Sequence, residues 1–133
     1  MSSEAAVNQI FQESLERATR AEHFYQSFYQ RFMADSPETQ ALFEGRDMAR
    51  IQKKLRMTLQ MVTDTSNGLP GLDMYMGLLG RIHTRLNISQ NQFEQWRKAL
   101  IDTAEECDPQ FTVKTRQAWE MSIDKVIGKM QAD

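Results

Sequence analysis

The chain has two histidines and one cysteine, so metal or acid–base chemistry must be built from few parts. His83 lies on an apolar stretch, four residues after Leu79 and three before Leu86. Side chains at those spacings share one side of a helix. Two readings stay open for it: a core histidine satisfied by a backbone carbonyl, or a metal ligand. A zinc site would need two or three more ligands at suitable spacing. One cysteine and one remote histidine do not supply them. Haem iron needs a single strong protein ligand, and an imidazole on an apolar face suits it. His23 sits in the polar run Arg20-Ala21-Glu22-His23 and reads as a solvated surface residue.

Tyr29 lies one residue off the row Phe24, Phe28 and Phe32, at the edge of that apolar face. A half-buried phenol needs a partner for its O–H, either an internal acceptor or a bound ligand. Arg50, Lys53, Lys54 and Arg56 form a short basic patch. It reads as a solvated helix face, or as a clamp for one or two carboxylates; it is too small for a nucleic-acid footprint. The nine methionines are scattered and read as core filling. Nucleophile-elbow, P-loop, dinucleotide and paired-carboxylate motifs are missing from the sequence.

The elements that must position these residues are helical. Val7, Ile10, Phe11, Leu15 and Ala18 mark the apolar face of a first helix, and Ala21, Phe24, Phe28 and Phe32 a second. Asp35-Ser36-Pro37 ends the second and starts a short helical turn carrying Leu42 and Phe43, which Gly45 closes. Met48, Ile51, Leu55, Leu59 and Val62 form the next face. It runs into an expected extended loop at Gly68-Leu69-Pro70-Gly71. Tyr75, Leu78, Leu79, Ile82 and Leu86 predict a shorter helix. Ser89 with Gln92 reads as a capping box opening the next, and Asp108-Pro109 as the opening of the last, with Trp119, Ile123, Val126 and Ile127 inward. No window alternates with a two-residue period, so the expectation is all-α, with about seven helices.

Composition bounds the class. The length of 133 residues suits one domain spanning 1–133, with 41% apolar and 26% charged residues. A net charge of −2 argues against nucleic acid as a partner. A single cysteine is ordinary in a reducing compartment. The start MSSEAAVNQI lacks the pattern of a signal peptide, and no apolar run approaches membrane-spanning length. The expected location is cytoplasmic, without membrane attachment.

Taken in order, Phe28-Tyr29, Ser36-Pro37-Glu38, Leu42-Phe43, Leu79-Gly80-Arg81-Ile82-His83, Phe93 and Ala118-Trp119 resemble the globin family. The likeness is greatest to bacterial single-domain globins and to the sensor domains of globin-coupled sensors. The gap of fourteen from Tyr29 to Phe43 and of forty from Phe43 to His83 suit that family. The resemblance implies a three-over-three globin fold with the short fourth helix missing, around non-covalent haem b. It implies His83 as proximal iron ligand, Phe43 flat against the porphyrin and Tyr29 as distal donor. Ile51 and Leu55 would line the distal wall, with Lys54, Leu79, Ile88 and Phe93 also at the cofactor. A one-residue slip would put Gln52 in place of Ile51. Ile51 is preferred, because the slip also turns Arg56 inward, and an unpaired buried charge is costly.

The implied function is reversible binding of O₂, NO or CO, for sensing, scavenging or storage, with a homodimer formed through the last two helices. Two alternatives are a nitric oxide dioxygenase served by a separate reductase, and a haem-free globin-like interaction domain. In flavohaemoglobins a tyrosine ten residues after the proximal histidine joins a network that makes that histidine more basic. Here that position is Phe93, which weighs against the dioxygenase.

Overall fold

A computed structural model describes residues 4–66 and 72–131, with side chains at 4–63 and 74–131. The expected loop at Gly68–Gly71 lies outside the described residues. Seven helices follow one another: α1 (Glu4–Thr19), α2 (Phe24–Ala34), α3 (Pro37–Phe43), α4 (Met48–Ser66), α5 (Leu72–Arg85), α6 (Gln90–Cys107) and α7 (Val113–Gln131). There is no strand among the described residues.

Local chemistry sets most of the boundaries. The Ser36 hydroxyl accepts from the Thr39 amide at 3.1 Å, and Pro37 occupies the first turn of α3, where its missing N–H costs nothing. Gly45 takes φ of 73° just after that helix, a conformation glycine adopts without penalty. Only residues 44–47 separate α3 from α4, so the short fourth helix of the eight-helix plan is missing. Ser89 and Gln92 form the reciprocal capping box at the start of α6. The Gln92 amide donates to Ser89 Oγ at 3.1 Å, and the Ser89 amide donates to Gln92 Oε1 at 2.8 Å. Asn87, with φ of 58°, ends α5. Its amide donates to the Thr84 carbonyl and the Ile88 amide to the His83 carbonyl at 3.0 Å, the two bonds of a Schellman stop.

The last helix corrects the expected boundary. Asp108-Pro109 does not open it; Asp108 is the C-cap of α6, and α7 starts at Val113 behind the Thr112 hydroxyl, which accepts from the Thr115 amide at 3.3 Å. A tertiary partner claims Asp108 instead. Its buried carboxylate accepts from Arg17 Nε at 2.7 Å, Arg17 Nη2 at 3.1 Å and Ser14 Oγ at 2.7 Å. Ser14 Oγ in turn accepts from Trp119 Nε1 at 2.8 Å. Four residues from three parts of the chain thus satisfy one another in the interior, which a buried polar group requires.

The helices pack as two sets of three. α1, α4 and α5 lie over α2, α6 and α7; α1 packs on both α6 and α7, and α5 on α7. Phe11 and Trp119 meet edge to face at 4.8 Å in the centre of the α1–α7 contact. Phe24 and Phe28, both fully buried, anchor α2, with Leu100 and Ile101 of α6 equally buried. The space between α4 and α5 on one side and α2, α3 and α6 on the other is less completely filled.

Candidate functional site

A cavity of about 300 Å³ opens there. Tyr29 and Phe32 of α2 line it, with Leu42 and Phe43 of α3 beside them. Ile51, Lys54, Leu55 and Thr58 come from one face of α4, and Leu79, Ile82 and His83 from α5. Ile88, Phe93 and Trp96 close the α6 side, and Met130 of α7 also reaches the cavity. The walls are apolar apart from a few polar groups, the composition expected of a small-molecule site.

The cavity brings together nine of the ten residues singled out in the sequence. His83, Phe43, Tyr29, Ile51, Leu55, Lys54, Leu79, Ile88 and Phe93 line it, and Gln52 is not among the lining residues. The basic patch divides. Lys54 faces the cavity, whereas Arg56 lies over the Tyr25 ring, 5.1 Å from its centroid, away from it. Arg50 and Lys53 are exposed.

His83 is half-buried, and burial pushes its imidazole below the ordinary histidine range, so the ring is neutral near pH 7. Its Nδ1 is buried without a hydrogen-bond partner among the described residues. The Phe93 ring meets it edge-on at 5.6 Å, which packs the imidazole but offers no acceptor. A neutral imidazole with no protein partner is available as a ligand to a metal in the cavity.

Tyr29 is 6% exposed, and its hydroxyl has no hydrogen bond among the described residues. Burial, with a smaller contribution from Tyr25, raises its pKa well above the ordinary phenol value. It is therefore a committed donor at any working pH. Edge-on contacts with Phe28 at 4.7 Å and Phe43 at 5.6 Å fix the ring. Phe43 also meets Phe32 edge-on at 5.9 Å.

Several lining residues carried no functional signal in the sequence. Thr58 and Tyr75 both line the cavity, with their hydroxyl oxygens 3.3 Å apart. Thr58 Oγ1 already donates to the Lys54 carbonyl at 2.9 Å, so Tyr75 is the donor in the pair. Arg46, just past α3, lines the cavity and donates through Nε to the Leu42 carbonyl at 2.6 Å. Helical spacing from Leu55 would have flagged Thr58; nothing local pairs it with Tyr75.

The apolar walls, the neutral histidine with an orphaned nitrogen and the tightly held tyrosine fit a flat apolar group ligated through iron. The globin family model matches residues 26–130, most of the chain, and the chain belongs to the globin family, whose members bind haem. Among solved structures, the chain is similar to a Pseudomonas aeruginosa PAO1 protein described as structurally highly homologous to a human haemoglobin. That likeness has a TM-score of 0.86 and 26% identity, and it covers 94% of this chain and 95% of the other. A comparison with curated protein sequences finds no significant match. No helix among the described residues is long and apolar enough to cross a membrane.

Proposed function

We propose that the protein holds one non-covalent haem b in this cavity through His83 and binds a diatomic gas reversibly, with O₂ favoured by Tyr29. The observation that carries this reading is that His83, whose buried Nδ1 has no hydrogen-bond partner among the described residues, and the Tyr29 phenol line one apolar cavity. When bound, haem supplies an iron able to take a gas ligand. The chain supplies the rest. The neutral His83 ring offers a lone pair, held against Phe93 and within a helix stopped by the Schellman bonds at Asn87. Ile51 and Leu55 exclude water on the α4 side. Lys54 and Arg46 supply cations for the two haem carboxylates. Tyr29 donates to a ligand carrying partial negative charge, as dioxygen does and carbon monoxide scarcely does.

Phe93 supports gas binding over nitric oxide dioxygenase chemistry, because among the described residues no acidic partner acts on the His83 ring to make it more basic. The pairing of His83 and Tyr29 in one apolar cavity likewise argues against a haem-free interaction domain. The reading includes a cytoplasmic setting, which the lone Cys107 fits, and pairing of two copies through α6 and α7, where Val113 and Met121 are exposed.

The deciding experiment is an absorption spectrum of the purified protein, oxidised, reduced, and under O₂ or CO, on the wild type and on His83→Ala. A Soret band that shifts with each gas in the wild type, and that is lost from His83→Ala unless imidazole is added, is the expected result. Unchanged haem retention in His83→Ala would overturn the assignment.

A further inference from the structure

A second group of metal-ligating side chains lies outside the haem cavity, none of its members lining it. His23 stands in the turn before α2, and Glu106 and Cys107 are the last two residues of α6. One ligand atom from each lies within 4.8 Å of the others, the one such group among the described residues. His23 Nε2 is 3.8 Å from Cys107 Sγ and 3.8 Å from Glu106 Oε2, and the Sγ to Oε2 distance is 4.0 Å.

These separations are close to the edges of a zinc tetrahedron. Bonds of about 2.3 Å to sulfur and about 2.0–2.1 Å to nitrogen and oxygen give edges of about 3.3–3.6 Å. Each edge needs to close by only a few tenths of an ångström to about half an ångström, which the exposed His23 and Glu106 side chains can do against the half-buried Cys107 without backbone movement. The set also matches the softness of the ion: thiolate, imidazole and carboxylate together favour zinc over magnesium or calcium.

The surroundings prepare the three atoms. Arg31 Nη2 donates to Glu106 Oε1 at 2.7 Å, while Arg31 Nη1 donates to Thr103 at 2.9 Å. That leaves Glu106 Oε2 turned to the other two ligands. His23 occupies the N-cap of α2 yet makes no side-chain capping bond, at a position where serine or aspartate would serve the helix better. Its ring instead stands against Cys107 and Glu106. Burial, with Glu106 adding to it, raises the Cys107 thiol above its ordinary value; a cation placed between the two acids reverses that effect.

We propose that His23, Glu106 and Cys107 form a zinc site, completed by water, that ties the start of α2 to the end of α6. On binding, the Cys107 S–H releases its proton to solvent, and the thiolate, the His23 Nε2 lone pair and one Glu106 oxygen take the ion. Thiolate and carboxylate together balance its double charge. Arg31, in the last turn of α2, pairs with Glu106 from further along that helix, so a bound ion adds a link at the start of α2.

Zinc titrated into the metal-stripped full chain, followed by calorimetry and by zinc X-ray absorption, tests this. The expected result is one zinc per chain, one sulfur in its shell at about 2.3 Å, and a higher melting temperature with zinc than without. Cys107→Ser should remove the sulfur, and His23→Gln, whose side chain is exposed, should weaken binding at least tenfold without touching the core. Each should abolish the rise in melting temperature. No binding at micromolar zinc, a shell without sulfur, or unchanged affinity in His23→Gln would overturn the proposal.

Discussion

Gly80 of α5 and Met130 of α7 are in backbone contact: the Met130 carbonyl fills the space a Cβ on Gly80 would need. His83 lies three residues further along α5, and the Met130 side chain lines the same cavity. The contact therefore sets how close the histidine-bearing helix comes to the rest of the fold.

Gly80→Ala should push α5 away from α7. A backbone carbonyl cannot move aside by changing rotamer, so the cost falls at or above the upper end of the usual ~1–3 kcal/mol for overpacking. Urea unfolding should show the lower midpoint, and transfer of haem to an acceptor protein should be faster than in the wild type. An unchanged midpoint would mean that α5 shifts freely, and that this contact does not position His83.

Tyr29→Phe keeps the ring contacts with Phe28 and Phe43 and removes only the hydroxyl. A hydrogen bond to a partly charged acceptor contributes about 1.5–3 kcal/mol, and each 1.4 kcal/mol or so is tenfold in an equilibrium constant. O₂ affinity should fall roughly ten- to a hundredfold, chiefly through faster release. CO affinity should change much less. Stopped-flow release of both gases separates the donor role from a change in pocket access, which would move the two equally.

Tyr75→Phe is the contrasting case. The Tyr75 proton is committed to Thr58, whose own proton goes to the Lys54 carbonyl. Removing that hydroxyl should cost about 0.5–1.5 kcal/mol of stability and leave O₂ release nearly unchanged. A large change in O₂ release would show that Tyr75, rather than Tyr29, faces the gas.

Asp108 makes stability depend on pH in the acid range. Burial alone would raise its pKa, but the Arg17 bonds, with those from Ser14 and the Gln110 amide, outweigh it and hold the carboxyl below the usual range. The folded value therefore lies below the unfolded value of about 3.9. The pair's contribution is fully present above the unfolded value and is lost as pH falls through the folded one. Asp108→Ala, which strands Arg17 and Ser14, should cost about 3 kcal/mol at pH 7. The gap between variant and wild type should narrow below about pH 4. Urea unfolding at several pH values checks both parts; a gap that stays constant into acid would remove Asp108 as the cause.

Much of the architecture was legible along the chain. Apolar residues recurring at helical spacing mark every helix face, and Ser36-Pro37 and the Ser89–Gln92 box mark their starts, because capping bonds reach only three residues. The same short reach misled at Asp108-Pro109. That dipeptide carries the local signal of a helix start, but Arg17, 91 residues earlier, claims the carboxylate in the folded interior.

It was the resemblance to globins, carried by the types and order of Tyr29, Phe43 and His83, that implied one pocket before any coordinates; the residues by themselves left His83 open between a core histidine and a ligand. Most of its neighbours were named with it, and packing decided the finer points. Ile51 rather than Gln52 turns to the cavity, and Arg56 lies on Tyr25, because α4 can present one face to α5 only in a single rotation. The Thr58–Tyr75 hydrogen bond and the His23, Glu106 and Cys107 cluster join residues with no shared local period. Periodicity reports which way a side chain points from its own helix; which group it meets depends on where the other helices come to rest.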